Sequence, residues 1–397
     1  MEVVLTKIDE ARKLLSRSIN FKIEGTEKLR VQDTFDRVSS KTIKSKFNLP
    51  QTKNSAVDGF AISLKDILNN EKQRFDIIGM AKAGHPFINK VSKNQTVEIY
   101  TGAIMPKGLD CVVMHENTER IDDHILIKKV PKKGLNVRPA GENVKINEII
   151  ITKGKKINSP DIGQLAASGN NEIEVFKKLN VSIFSTGDEV IDSSSKLKKG
   201  QIFDANRPML FSMLNNKNLN LIDDDIVEDK LSTLTKKYEN SLQSSDVVIS
   251  SGGASDGIED HTQKALKNIG AKLIFWQLAI KPGKPMAIAK HNKTLIFCLP
   301  GNPVAAYVCT QLFIKPAIEK ISGSNFKKPF YIFLPSGFEH EKKIGRTEFL
   351  RCKIVTKDNT SKIFIHGRRG AGVISSLTGA DGLVEIPDEV SSVKENQ

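Results

Sequence analysis

The 397-residue chain carries 60 Lys+Arg against 46 Asp+Glu, a formal net charge of +14, with 39% hydrophobic and 27% charged residues. This is the composition of a soluble globular protein long enough for two to four domains, and no apolar run approaches the roughly 20 residues that a membrane span requires. The basic excess is spread as solvated single or paired lysines such as Lys177-Lys178, Lys198-Lys199 and Lys327-Lys328, without interleaved aromatics, which argues against specific nucleic-acid binding and for steering of an anionic small molecule or an acidic partner.

In chain order, residues 6–19 predict a helix with Thr6 as N-cap and Ile8, Ala11, Leu14 and Leu15 on one face, and a second helix is expected from Val31 to Ser40. The start, MEVVLTKIDEARKLLSRS, has acidic residues and helical periodicity where a secretory signal would have a basic end and an apolar core. Between about 46 and 140 the pattern changes to short β-like runs, GFAISL, FDIIGMA, QTVEIYTG, CVVMH and HILIKKV. Helical pattern returns after Ser159-Pro160, a cap and first-turn pair, so a β-module inserted into a helical element explains the order. From Leu179 to about Ile321 strands and helices alternate, with strands at 181–185, 246–250 and 294–299 and helices from about Arg207, over 230–243, 260–268 and 303–320. That alternation predicts a parallel sheet with right-handed crossovers. From Lys327 onward YIFLP, FLRCKIV, KIFIHG and GLVEIP predict a small β-domain, and the tail SSVKENQ reads as disordered. Cys111, Cys298, Cys309 and Cys352 form no CxxC pair, so neither a disulfide framework nor a zinc site is expected, and a reducing cytoplasm fits.

Three segments end an apolar run in a loop of Gly and small polar residues: VSIFSTGDE (Val181 to Glu189), DVVISSGGASDG (Asp246 to Gly257) and TLIFCLPGNP (Thr294 to Pro303). In an open α/β sheet such loops line the crevice at the carboxyl ends of the strands, where backbone N–H groups and helix starts bind anions. Ordinary βα turns use the same residues, but three loops carrying Asp188, Glu189, Asp256 and Asp260 favour a ligand site. Hard oxygen donors such as Asp188, Glu189 and Asp260 suit Mg²⁺, which uses one or two carboxylates plus substrate phosphates.

Elsewhere, NSAVDGFAI presents Asp58 before Gly59, either as an exposed carboxylate or as a plain Asp-Gly turn. Thr101 ends a strand, where its hydroxyl can meet a phosphate or metal-bound water, or cap a turn. Arg138 in VRPAGENVK suits either an anion or an interdomain salt bridge. Asp204, Asn206 and Arg207 precede Pro208 in what reads as an anion-ready helix start. Lys281 and Lys284 flank a rigid Pro-Gly turn beside Trp276, a fixed ammonium pair for pyrophosphate or an oxyanion. No Ser-His-Asp set is evident, and His85, His115 and His261 have no metal-ligand spacing.

Taken in order, SAVDGFA, TGAIMPKGLDCVVM, VRPAGENV, STGDEV, DANRPML, SSGGASDGIEDH, AIKPGKP, LPGNPVAA, GRTEFLRC and ADGLVEIP resemble the molybdopterin molybdenumtransferases, the MoeA and gephyrin E-domain family, across nearly the whole chain. STGDE, SSGGAS and LPGNP alone would also fit related adenylyltransferase and CinA-like folds. The resemblance implies a multidomain α/β and β fold: a helical N-terminal or linker domain (1–45 plus 140–176), an inserted β-rich domain (46–139), a MogA-like three-layer α/β molybdopterin-binding domain (177–323) and a C-terminal β-domain (327–397). It implies a homodimer with its site between the α/β domain of one subunit and the β-module of the other, and contact with a molybdopterin adenylyltransferase and with molybdoenzyme maturation proteins. It further implies insertion of molybdate into adenylylated molybdopterin with release of AMP, assisted by Mg²⁺. By the same resemblance Asp58, Thr101, Glu189, Asp229 and Asp260 are catalytic, with Glu189 and Asp260 at the metal or the attacking oxygen. Ser251, Gly252 and Gly253 would cradle the phosphates and Lys281 and Lys284 would hold molybdate or the pterin phosphate; Pro300, Gly301 and Asn302 match as further cofactor-binding positions, and the C-terminal match adds Arg346 or Arg351. Departures fall at Gln277, where many relatives carry a basic residue, and at Ala371, which replaces a common serine; Val57 and His261 are tolerated swaps. A related MogA- or CinA-like nucleotide-processing enzyme, or a scaffold keeping the fold for partner binding, is the competing reading.

Overall fold

Alternating burial organises the central sheet. Val181 and Ile183 face one core and Phe184 the other; Val247 and Ile249 oppose Val248; Leu295, Phe297 and Leu299 oppose Ile296 and Cys298. Strands apolar on both faces need cover on both sides, and helices supply it. In the computed structural model, which describes residues 5–253 and 261–397, one face is covered by Ile8–Ser18, Asn206–Leu214 and Pro303–Cys309. Leu231–Ser244 and His261–Asn268 cover the other through Leu234, Tyr238, Ala265 and Leu266. Each such large apolar side chain contributes roughly 1.5–3 kcal/mol when fully buried.

The sheet has six strands, in the order Leu219–Val227, Leu179–Thr186, Val247–Ser251, Thr294–Leu299, Ala287–His291 and Lys272–Trp276. The first four run parallel. Register pairs Ser185 with Ser251 and Ser251 with Leu299, so the loops that follow these strands emerge side by side. The strand Leu219–Val227 has no counterpart in the sequence reading, because its acidic run Asp223-Asp224-Asp225 hides the apolar period of an edge strand.

A second six-stranded sheet holds Cys111–Met114, Gly59–Ile62, Gln95–Ile99, Arg74–Ala81, His124–Ile127 and Thr118–Ile121. Both ends of this stretch return to one place, since Thr26–Arg30 pairs with Glu172–Phe176 and Ile43–Lys44 with Ile149–Ile151. The last unit is built on Thr347–Lys357, which pairs with Thr360–Ile365 and Gly382–Ile386 and, in parallel, with Ile280–Lys281.

Several expectations need correction. Val31 to Ser40 is not a helix: only Val31–Asp33 forms a 3₁₀ turn, and Ser39 and Ser40 donate their backbone N–H groups to Lys155 and Glu174 carbonyls instead. Thr6 does not cap the first helix; Lys7 occupies that place, and Thr6 bridges to Leu278. The cap before Pro160 is Asn158, in a capping box with Asp161, not Ser159. YIFLP is not a strand, and Phe330 and Phe333 are almost fully exposed. The tail is ordered, because Ser392–Val393 pairs with His340–Glu341 and Gln397 accepts from the Ser336 N–H at 3.1 Å. All four cysteines are free and buried, and burial pushes the Cys111 thiol up to about 12. Among the described residues no helix is long and apolar enough to cross a membrane.

Candidate active site

At the carboxyl edge of the parallel strands lies a cavity of about 730 Å³, lined by Thr186, Glu189, Asp229, Ser251, Gly252, Gly253, Pro300, Gly301 and Asn302, among others. The close packing of its loops is encoded in Gly252, which has φ +95° and where a Cβ would stand 2.0 Å from the Thr186 carbonyl oxygen. Gly252 N–H also donates to the Leu299 carbonyl at 3.1 Å, tying two loops together. Asn206 adds a second tie: its Nδ2 donates to Ser251 Oγ and to the Gly301 carbonyl, both at 2.7 Å. The sequence placed Asn206 only at a helix start, and its bridging role depends on chain contacts 45 and 95 residues away. Ser185 Oγ, Thr186 Oγ1 and Asn206 Oδ1 are buried without a hydrogen-bond partner among the described residues while their residues line this cavity. Polar atoms so placed are rarely left unpaired, which makes this cavity the candidate ligand site.

A second cavity of about 440 Å³ adjoins the first and shares Pro285, Pro300 and Asn302 with it. Its lining includes Lys281, Lys284, Arg346, Arg351 and Arg369. Arg351 is 3% exposed; its Nε donates to Ser376 Oγ at 2.8 Å and its terminal nitrogen to the Arg368 carbonyl at 2.9 Å. Burial pulls this guanidinium below its usual range, offset in part by the charge on Glu348. No carboxylate among the described residues forms an ion pair with Arg351, Arg346 or Arg369. A buried guanidinium held by neutral acceptors beside further cations is suited to an anion, although Glu341 and Glu348 also line the cavity. Ser376 had no sequence signal, since its contact with Arg351 spans 25 residues of irregular chain. Ala371 lines this cavity with its backbone engaged, the carbonyl accepting from the Val304 N–H at 3.0 Å. Gln277 is buried at φ +65° and supports the loop through its backbone.

Asp58 and Thr101 pair with each other on the inserted sheet. The Thr101 N–H and hydroxyl both donate to Asp58 Oδ1 at 2.7 Å, and these bonds hold the carboxyl below the usual carboxylate range. Gly59 makes the approach feasible, because a Cβ there would lie 2.1 Å from the Val113 carbonyl oxygen of the neighbouring strand. Neither Asp58 nor Thr101 lines the two cavities of the same chain. The sequence-predicted residues therefore fall into two groups, one on the α/β and C-terminal units and one on the inserted sheet. Asp260 and Asp256 lie outside the described residues.

Arg207 is not an anion receptor. It pairs with Asp192 at 2.9 Å, Asp204 at 3.2 Å, Asp225 at 3.5 Å and also with Asp223, so its charge is spent within the fold. Arg138 is exposed and forms no ion pair among the described residues; it pairs in register with Asn54, four residues ahead of Asp58.

Residues 6–169 match the MoeA N-terminal region (domain I and II), residues 182–320 a probable molybdopterin binding domain, and residues 334–397 the MoeA C-terminal region (domain IV). A molybdopterin molybdenumtransferase of Haemophilus influenzae is 31% identical over 389 residues, which is 97% of this chain and 95% of that relative. The chain belongs to the MoeA family. A molybdopterin molybdenumtransferase of Staphylococcus epidermidis is 27% identical, covering 90% of this chain and 86% of its own. The crystal structure of a molybdopterin biosynthesis moeA protein from Pyrococcus horikoshii OT3 matches 99% of this chain and 98% of its own with a TM-score of 0.84 at 26% identity. The sequence-predicted residues fall across the three matched regions: residues 182–320 contain the glycine loops, Lys281 and Lys284, residues 334–397 Arg346 and Arg351, and residues 6–169 Asp58 and Thr101.

Proposed function

We propose that the protein is a molybdopterin molybdenumtransferase, which inserts molybdenum from molybdate at the dithiolene of adenylylated molybdopterin and releases AMP. The observation that carries this reading is the pair of joined cavities. One offers backbone donors and carboxylates at the ends of parallel strands, suited to the phosphates of a nucleotide-activated pterin; the other offers Lys281, Lys284, Arg346 and Arg351 to a tetrahedral oxyanion. Because the cavities share Pro285, Pro300 and Asn302, an anhydride bound in one would lie next to an oxyanion bound in the other, giving proximity in place of a bimolecular encounter.

Glu189 and Asp229 line the phosphate cavity together with Gly252 and Gly253. These hard oxygen donors fit Mg²⁺, for which one or two carboxylates beside substrate phosphates suffice, even though no group of three ligating side chains exists among the described residues. A bound Mg²⁺ would neutralise charge on the phosphoanhydride. Asp58 and Thr101 belong, in this reading, to a site completed across a cytoplasmic homodimer, where the partner subunit's Asp58 faces the cavity. A molybdopterin adenylyltransferase upstream and molybdoenzyme maturation proteins downstream are the partners this chemistry calls for.

Purified protein given adenylylated molybdopterin, molybdate and Mg²⁺ is expected to release AMP, and to scatter light as a species of twice 43.9 kDa. No AMP with all three present rejects the transferase reading, and a 43.9 kDa species alone rejects the shared site. Asp58→Asn keeps an oxygen to accept both Thr101 hydrogen bonds but loses the charge. It is expected to slow AMP release at least tenfold, about 1.4 kcal/mol of barrier, with the melting temperature unchanged; an unchanged rate removes Asp58 from the machinery.

A further inference from the structure

Glu348 stands where the oxyanion cavity opens into an outer cleft of about 730 Å³, lined by Lys342, Lys343, Arg346 and Ser391 among others. Its carboxylate is buried, and both oxygens are engaged. Oε1 accepts from Lys281 Nζ at 2.9 Å, and Oε2 accepts from His340 Nε2 at 2.9 Å. The pairing follows from topology, because the parallel register of Ile280–Lys281 with Thr347–Lys357 sets Lys281 directly beside Glu348. Lys281 nevertheless keeps 59% of its side chain exposed, so its head group reaches solvent while one of its hydrogens is anchored.

A lysine ammonium has three N–H donors on a flexible four-carbon stem. One bond to a fixed carboxylate sets where the charge sits and leaves two donors for an incoming oxyanion. His340 is equally particular: it is buried, and Nδ1 has no hydrogen-bond partner among the described residues, which leaves the contact with Glu348 as the ring's polar anchor. Burial alone would raise the Glu348 pKa, but the bonds from His340 and Lys281 more than offset this and keep the carboxyl below its usual range. A buried ionic cluster is a poor device for stability, since apolar side chains of similar volume often serve as well. Its position at the mouth of the oxyanion cavity gives it another purpose.

We propose that Glu348 is a positioning residue that holds the Lys281 ammonium at the oxyanion cavity, and that His340 holds Glu348 in place. Both line that cavity, and each acts on the oxyanion through the Lys281 ammonium. The inference rests on the reading of that cavity as an oxyanion site, and it adds His340 and Glu348 to the residues that determine oxyanion affinity.

The test is a calorimetric titration with molybdate, run beside steady-state kinetics on the full-length protein. Glu348→Gln is expected to weaken molybdate binding about tenfold, about 1.4 kcal/mol, and to raise the KM for molybdate in step, with the KM for adenylylated molybdopterin and the melting temperature unchanged. In a Lys281→Ala background the same substitution should add nothing, because the group it positions is gone. His340→Ala should weaken molybdate binding, and His340→Gln, which restores an N–H donor at that place, should recover most of the loss. The inference is overturned if Glu348→Gln binds molybdate as well as or better than wild type, if both KM values rise together, or if the effect persists without Lys281. A wild-type protein that binds molybdate but releases no AMP would reject the transferase reading alone and leave this inference to the calorimetry. Wild-type protein that binds no molybdate would reject both.

Discussion

Replacing Arg351 with leucine is expected to lower kcat/KM for molybdate by on the order of a hundredfold, about 2.7 kcal/mol, the scale of removing one fixed donor from a developing or bound oxyanion. The guanidinium is buried, lines the cation-rich cavity and is steered by Ser376 Oγ and the Arg368 carbonyl, neither of which neutralises it. Its charge is thus oriented but uncompensated by any ion pair among the described residues. Arg351→Lys is a sharper probe than the leucine variant. Lysine keeps the charge but cannot span both acceptors with a rigid fork, so we expect most of the loss to remain, concentrated in the KM for molybdate. Calorimetry with molybdate, beside a thermal melt, decides the matter. A lysine variant indistinguishable from wild type would show that charge alone suffices and that the fork has no role.

Gly252→Ala is expected to damage both stability and nucleotide binding. The left-handed backbone at φ +95° strains any L side chain, and the new Cβ would meet the Thr186 carbonyl oxygen at 2.0 Å, an atom fixed in the adjoining strand end. Relief requires the ends of Leu179–Thr186 and Val247–Ser251 to separate, which disrupts the floor of the phosphate cavity. We expect a loss of roughly 2–4 kcal/mol in stability, the range of overpacking combined with backbone strain. Gly301→Ala is the contrast. There the nearest heavy atom to an added Cβ is Gly252 Cα at 3.7 Å, an ordinary contact without positive φ, and stability should change by less than about 0.5 kcal/mol. Chemical denaturation of the two variants side by side checks this. Equal losses would mean that the loop does not depend on close approach at Gly252.

What could be read before the fold was known follows from the range of the interactions involved. The α/β layer was legible because VSIF, DVVIS and TLIFCL are short β-branched and apolar runs, each closed by a glycine-bearing turn, and such signals are local. The same holds for the glycine loops and for the Pro-flanked lysines. The strand Leu219–Val227 shows no apolar face in sequence, because its acidic residues serve Arg207, Ser182, Ser241 and Lys237. Arg207 itself looked like an anion receptor until the carboxylates that surround it, 3 to 18 residues away in sequence, were brought together by folding. YIFLP has strand composition, yet composition does not supply a neighbouring strand to pair with. Asn206, Ser376 and Glu348 share one property: each meets its partner across 25 to 95 residues of chain, and His340 meets Glu348 across an irregular turn, so no periodicity or spacing reports them.

The seam between Ile280–Lys281 and the start of Thr347–Lys357 has a further meaning. Thr347 donates its N–H to the Ala279 carbonyl at 2.8 Å, and Val304, in the first turn of the Pro303–Cys309 helix, donates to the Ala371 carbonyl at 3.0 Å. A C-terminal unit that swung outward would break both threads at once, carry Arg346 and Arg351 away, and strip Lys281 of its anchor. The cation-rich cavity therefore depends on this seam staying closed. Amide hydrogens at Thr347 and Val304 should exchange with solvent at a common rate, and that rate would count how often the pocket ceases to exist.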